Sequence, residues 1–363
     1  MTYSKNRMKL IIICGIVLMV AIISTVDITV LINQGQVNPL SPDTITIQDT
    51  QRVTVAADFH NSMVVTSDGS LWAWGWNEFG HLGDGTTRNR HRPVRVLDSV
   101  VSVSPMLYYT MAIRADNSLW AWGVNANGIF GDGTTTDHRR PAHVIDGVIA
   151  VSTSSHVMVI RSDNSLWTWG GNRRGQIGNN TTINQYEPVH IMDDVVAISA
   201  GSGFSMAVKS DESLWGWGWN EFGQLGDGTT INRYSPVHIM NDVVYVYAGI
   251  RHTVVITADG NLWAWGENAY GQLGDGTTIN RYAPIHILDD VVTVSADSRH
   301  TMAIKSGGSL WAWGANSNGG LGDGTTINKY TPVHIMDDVV AVSTGNGYTL
   351  AVKSDGTLWA CAY

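Results

Sequence analysis

The chain has 363 residues and a formal net charge of −9, with 31 Asp and Glu against 22 Lys and Arg. A nucleic-acid surface is normally basic, so this balance argues against nucleic acid as the partner. Two cysteines exclude a disulfide framework, and 39 glycines with only 15% charged residues suit short strands joined by many turns.

Lys5, Arg7 and Lys9 precede an apolar run from Leu10 to Ile23, extended by Val26, Ile28 and Val30 to Ile32. The strictly apolar part is about 14 residues, short of the ~20 that span a bilayer; continuing to Ile32 reaches about 23, at the cost of Ser24, Thr25, Asp27 and Thr29. No good Ala-x-Ala cleavage site follows. Residues 1–32 are therefore expected to be a hydrophobic helix acting as an uncleaved signal-anchor, its positive end inside and the rest of the chain extracytoplasmic. Secretion after cleavage is the alternative. Cys14 makes no lipoprotein signal, because almost no apolar run lies before it. Residues 33–43 read as a polar linker.

From there the chain repeats itself. Leu-Trp-x-Trp-Gly starts at Leu71, Leu119, Leu166, Leu214, Leu262 and Leu310, and a seventh, partial copy starts at Leu358. A fixed period of 47 or 48 residues between the first tryptophans, Trp72 to Trp359, marks a repeat architecture. The copy from Val244 to Ile287 holds four β-rich runs. Asp259-Gly260 between the second and third predicts a two-residue hairpin turn with both positions at positive φ. A Gly-rich loop follows the third run, and Pro284 opens the fourth, as suits an outer edge strand. Four short antiparallel strands per repeat predict a β-propeller blade. Thirteen of the fifteen Trp fall in the paired slots and are expected to be core between blades.

Seven hairpin units are present, but the last stops at Tyr363 without a fourth strand. Ile45-Thr46-Ile47 precedes the first inner strand at nearly the spacing that Val237-His238-Ile239 keeps from Val244. Residues 44–48 are therefore expected to close a seven-bladed, all-β ring over 44–363, removing two exposed sheet edges. The expected state is a monomer. Cys361, in the slot of a second Trp, is expected to be a buried thiol.

The pattern Ala-Gly-x-x-His-Thr, followed by Leu-Trp-Ala-Trp-Gly-x-Asn-x-x-Gly-Gln-Leu-Gly-Asp-Gly, resembles the repeats of the regulator of chromosome condensation family. Trp265 to Gly274 and Trp217 to Gly226 carry the loop; His156, His252 and His300 carry the inner His, which Asn61, Tyr109, Phe204 and Tyr348 replace elsewhere. The resemblance covers residues 44–363 and implies the propeller fold. It implies much less about activity, because such propellers carry unrelated functions. The founding member is a nuclear exchange factor for a small GTPase, and neither the net charge nor the N-terminal segment favours that role here. An exported chain with no intramolecular disulfide fits a bacterial surface protein.

No catalytic residues and no cofactor are expected. The recurring Gly-Asp-Gly-Thr-Thr offers one carboxylate per loop where calcium needs 6–8 oxygens, so the loops read as turns and no metal is assigned. No Lys follows the glycines, as a phosphate loop would require. Asn77, Asn125, Asn172, Asn220, Asn268 and Asn316 are expected to hold the same loops. His143, His190, His238, His286 and His334 lie one per blade and read as surface positions.

What varies between repeats is the candidate partner-binding rim. One loop carries Trp76, Phe79, Trp219, Phe222 and Tyr270, with Arg173 and Arg174 in another copy. The second carries Arg90, Arg139, Arg140, Arg233, Arg281 and Lys329. Aromatics beside Arg are enriched in protein interfaces. The chain is expected to be a non-catalytic extracytoplasmic scaffold binding a protein or a cell-envelope polymer through one rim. The alternative is an enzyme inhibitor similar to the propeller-type β-lactamase inhibitory protein; an exchange-factor-like regulator follows behind.

Overall fold

The computed structural model describes residues 54–58, 61–345 and 347–361. They form seven antiparallel sheets, each a simple up-and-down meander, arranged as a seven-bladed β-propeller. The fifth blade is typical, with strands Val243–Ala248, His252–Thr257, Leu262–Gly266 and Arg281–Leu288. Its ladder sets Val246 opposite Val255, Val255 opposite Trp263 and Trp263 opposite His286. The strands begin and end where β-branched and aromatic residues give way to Gly and Asp. The anchor, the linker and the expected closing strand at 44–48 all lie outside the described residues.

Two turn expectations need correction. Thr66 N–H donates to Ser70 C=O at 3.0 Å and Gly69 N–H to Thr66 C=O at 2.9 Å, so the hairpin loop spans three residues rather than two. Only its last residue has positive φ: Gly69 at 80°, Gly260 at 85°, and even Glu212 at 66°. The Asp before it caps the loop with its carboxylate, as Asp116 does for Ser118 N–H at 3.0 Å. The outer strand also begins three residues before its Pro. Pro284 sits where the register shifts between Ala264 and Gly266, a bulge that asks nothing of its missing N–H.

The paired tryptophans do two jobs. In five of the six pairs the second Trp (Trp122, Trp169, Trp217, Trp265, Trp313) is fully buried, and Trp74 of the first blade is only partly so. The first is half-buried and, from the second blade to the sixth, edge-on to the outer-strand His of its own blade, as Trp263 is to His286 with centroids 5.5 Å apart; Trp72 lies opposite Arg95 instead. Not all thirteen are core, therefore. Both rings share a face, but the first sits near the open hairpin end and the second under the loop, where the preceding blade closes over it. There Trp265 Nε1–H and Thr253 Oγ1–H both donate to Gln224 C=O, at 3.0 and 2.7 Å. Trp217 with Ser205 and Trp313 with Thr301 repeat this seam on Gln176 and Gln272.

Among the described residues nothing pairs with the outer edge of Leu358–Cys361, and the seventh blade has three strands. Leu358 is 62% exposed where Leu71, Leu166 and Leu262 are fully buried. Cys361 is half-buried rather than buried, and desolvation raises its pKa.

Candidate interaction face

The loop after each third strand is built round one buried Asn. Asn268 Nδ2–H donates to Asp275 Oδ1 (2.9 Å), Thr277 C=O (3.1 Å) and Ile279 C=O (3.2 Å); its Oδ1 accepts Leu273 N–H (3.0 Å). Its own N–H donates to Asn280 Oδ1 at 2.9 Å. A fully satisfied buried amide is a rigid pin, so these asparagines hold the loops. The neighbouring Asp is saturated as well. Asp275 accepts Thr277 N–H and Oγ1–H and Arg281 Nε–H, the last at 2.7 Å. Burial works to raise its pKa, but the bonds from Thr277, Arg281 and Asn268 outweigh it and hold the carboxyl below its ordinary value.

That geometry ties four of the expected rim residues to their own loops, while Arg139 and Arg140 stay exposed. Arg90, Arg233, Arg281 and Lys329 each pair with the Asp of their own loop, and His138 does so with Asp132. Where the acid becomes Asn179 the base becomes Gln185, so the two positions change together. Arg139 and Arg140 lie against Gly80 and Gly85 of the preceding blade. Tyr186, Tyr234, Tyr282 and Tyr330 take the slot of Arg139 in later blades. Each carbonyl there accepts an N–H from the preceding loop, Gly228 to Tyr282 and Gly276 to Tyr330 both at 2.8 Å.

Of the other seven, Phe79, Arg173 and Arg174 are exposed on the loop side, and Trp76, Trp219, Phe222 and Tyr270 are partly buried there. Arg173 is exposed on the third blade's loop. Trp76 and Phe79 stack edge-on at 5.2 Å, and Phe79 meets Tyr108 of the next blade at 4.9 Å. Three blades further on, Arg174 lies over Trp219 at 4.6 Å and Arg251 over Phe222 at 4.6 Å and Trp219 at 5.8 Å. Trp219 Nε1–H donates to Glu221 at 3.1 Å, and Arg251 pairs with Glu267 at the same distance. Arg299 then lies over Tyr270 at 4.9 Å. Cation–π stacking fixes each guanidinium plane, and Glu267 and Glu221 hold the edges of Arg251 and Arg174.

Tyr108, Arg251 and Arg299 escaped the sequence reading. They belong to the turn between the first and second strands, which brings them beside the loop of the preceding blade. The signal was present: this turn holds Tyr108, Ser155, Gly203, Arg251, Arg299 and Gly347 in successive copies.

A family model for the RCC1-like domain matches residues 31–351. The chain belongs to this family. In sequence, the RCC1-like chain is 40% identical over 42 residues to the ultraviolet-B receptor UVR8 of Arabidopsis thaliana, covering 12% of this chain and only 10% of the receptor. In structure, it superposes on Prp20p of Saccharomyces cerevisiae with a TM-score of 0.68 and 17% identity, over 89% of this chain and 87% of that one. Yeast RCC1 (Prp20) in a complex with Kap60 gives 0.68 and 18%, over 85% and 80%. Human WBSCR16 gives 0.68 and 21%, over 81% and 88%. At these identities the superpositions show the RCC1-like fold.

Proposed function

We propose that this RCC1-like propeller is a non-catalytic interaction scaffold that takes a protein partner on its loop face. Outside the cytoplasm is where we place that face, with residues 1–32 as the membrane tether; among the described residues no helix is long and apolar enough to cross a membrane. The observation carrying the reading is the stack of Arg174, Trp219, Arg251 and Phe222, drawn from three blades. Rings and guanidinium planes already ordered lose little freedom on binding, which is why such residues dominate binding energy. Related propellers are described with protein partners: Kap60 for yeast RCC1, and Gsp1p and histones for Prp20p.

The test is a comparison of variants in pull-downs from an envelope fraction. Trp76→Ala with Trp219→Ala is expected to weaken partner capture at least ~30-fold, since truncating a hot-spot aromatic typically costs ~2 kcal/mol or more. His238→Ala with His286→Ala, on the outer wall, is expected to leave capture intact. Loss in the His variant and retention in the Trp variant would move the binding surface to the outer wall.

A further inference from the structure

The face opposite the loops has its own repeated feature. In the fifth blade Val243 pairs with Thr257 and Tyr245 with Ile256, so Val244 has no partner across the ladder. The same bulge frees Val101, Ile149, Val196, Val292 and Val340 in the other innermost strands. A bulge re-aims its side chain, and these six are 40–54% exposed, whereas Val243 and Val246 beside Val244 are buried. Innermost strands of consecutive blades lie side by side. The six aliphatic side chains therefore stand round the hairpin-side mouth of the central channel. Nothing in the ladder requires a Val or Ile at an unpaired, solvent-exposed position.

Two residues before four of them sit Asp194, Asp242, Asp290 and Asp338, all exposed and all at φ of 60–64°. Gly147 fills the same turn in another connection, so the turn itself needs no carboxylate. Lys209 approaches Asp194 at 3.9 Å. Among the described residues no ion pair neutralises Asp242, Asp290 or Asp338. Hairpin aspartates such as Asp116, Asp163 and Asp259 add to the same face. Its few cations lie over the half-buried tryptophans: Arg114 over Trp120 at 5.5 Å, Arg161 over Trp167 and Lys305 over Trp311, both at 5.8 Å. Arg114 also pairs with Asp116 at 3.7 Å and Arg95 with Asp98, leaving the acids in excess. On the loop face, by contrast, the acids are largely matched by their own Arg and Lys. The net charge of −9 is thus concentrated on the hairpin side.

We infer that this aliphatic collar is a second docking surface, independent of the loop face, whose partner is a cationic amphipathic polypeptide segment. Apolar residues of the segment cover Val196, Val244, Val292 and their equivalents, while its Lys or Arg residues meet the aspartates around them. An acidic partner is repelled here. A wholly apolar one strands the carboxylates without counter-charge.

The test uses the full-length chain and a fluorescein-labelled synthetic peptide of alternating Lys and Leu, read by fluorescence anisotropy. Alternating Lys-Ser and Glu-Leu peptides are the controls. Saturable Lys-Leu binding is expected, with Lys-Ser at least about tenfold weaker and Glu-Leu not bound. Val196→Ser, Val244→Ser and Val292→Ser together are expected to cost about tenfold. Asp194→Asn, Asp242→Asn and Asp290→Asn together are expected to cost as much and to flatten the salt dependence. The valines are exposed and Asn accepts positive φ, so both variants keep the fold, which circular dichroism checks. Lys-Ser binding as tightly as Lys-Leu, or no loss in either triple variant, overturns the proposal. Trp76→Ala with Trp219→Ala is expected to bind the Lys-Leu peptide normally; its loss there would place the peptide on the loop face instead.

Discussion

Truncating Trp265 removes a ring that is fully buried between the fourth and fifth blades, packed with Phe204, Met206, Leu225 and Val255. A Trp buries roughly 150–250 Å². At ~25 cal/mol per Å² that area is worth about 4–6 kcal/mol, in line with the ~3–5 kcal/mol seen for large-to-Ala changes in cores. The hydrogen bond adds little, because Gln224 C=O keeps the hydroxyl of Thr253 when the indole is gone. Trp265→Ala is therefore expected to cost about 4–5 kcal/mol, and Trp265→Phe, which keeps most of the packing, nearer ~1–2 kcal/mol. Trp263→Ala removes a half-exposed ring and is expected to cost about half as much as Trp265→Ala. Guanidinium unfolding followed by far-ultraviolet circular dichroism measures all three. Equal losses for Trp263→Ala and Trp265→Ala would refute the division of labour within the pair.

Two further outcomes follow from the seams and from the open edge. His156 and His252 are buried, and burial lowers their pKa from 6.5 to about 3 and about 4. Both rings are neutral in folded and unfolded chains above pH 6.5. Below it the unfolded chain takes up protons that the folded one refuses, so stability falls by ~1.4 kcal/mol per pH unit for each His until the folded value is reached. His156→Gln is expected to make that fall shallower, and a stability that is flat from pH 7 to about 5 would rule the argument out. Removal of residues 33–50 is expected to lower the melting temperature and leave the edge of Leu358–Cys361 unpaired, if residues 44–48 supply the fourth strand. That loss should reach a few kcal/mol, a large part of a typical ~5–15 kcal/mol. An unchanged cooperative melt would show that the closing strand lies elsewhere.

The blades were legible because the chain prints the same hairpin seven times, with the Trp pair identifying the third strand, the Asp-Gly turn the hairpin and the Pro the outer strand, though not where that strand begins. The division between Trp263 and Trp265 was not. Residues two apart share a face, and only the neighbouring blade decides which of them is covered. Arg233 and Arg281 read as rim because they vary in sequence, yet their variation tracks the Asp or Asn six residues earlier, a pairing inside one loop. Arg251 and Arg299 were missed because the rings they stack on belong to the preceding blade, on Phe222 and Tyr270. The aliphatic collar hides for a different reason. Val243-Val244 looks like any buried strand start until the bulge separates the two residues.

The seams have a consequence for how such a ring changes length. At the seams from the third blade to the sixth, each blade donates a loop N–H to the outer strand of the next and lends a loop carbonyl to the next blade's Trp and hydroxyl. Both partners of these seams are thus offset by one repeat, and a duplicated unit inserted at one of them brings the donors and acceptors that its two neighbours expect. Nothing in these bonds counts to seven. The described seams therefore do not oppose the gain or loss of one repeat.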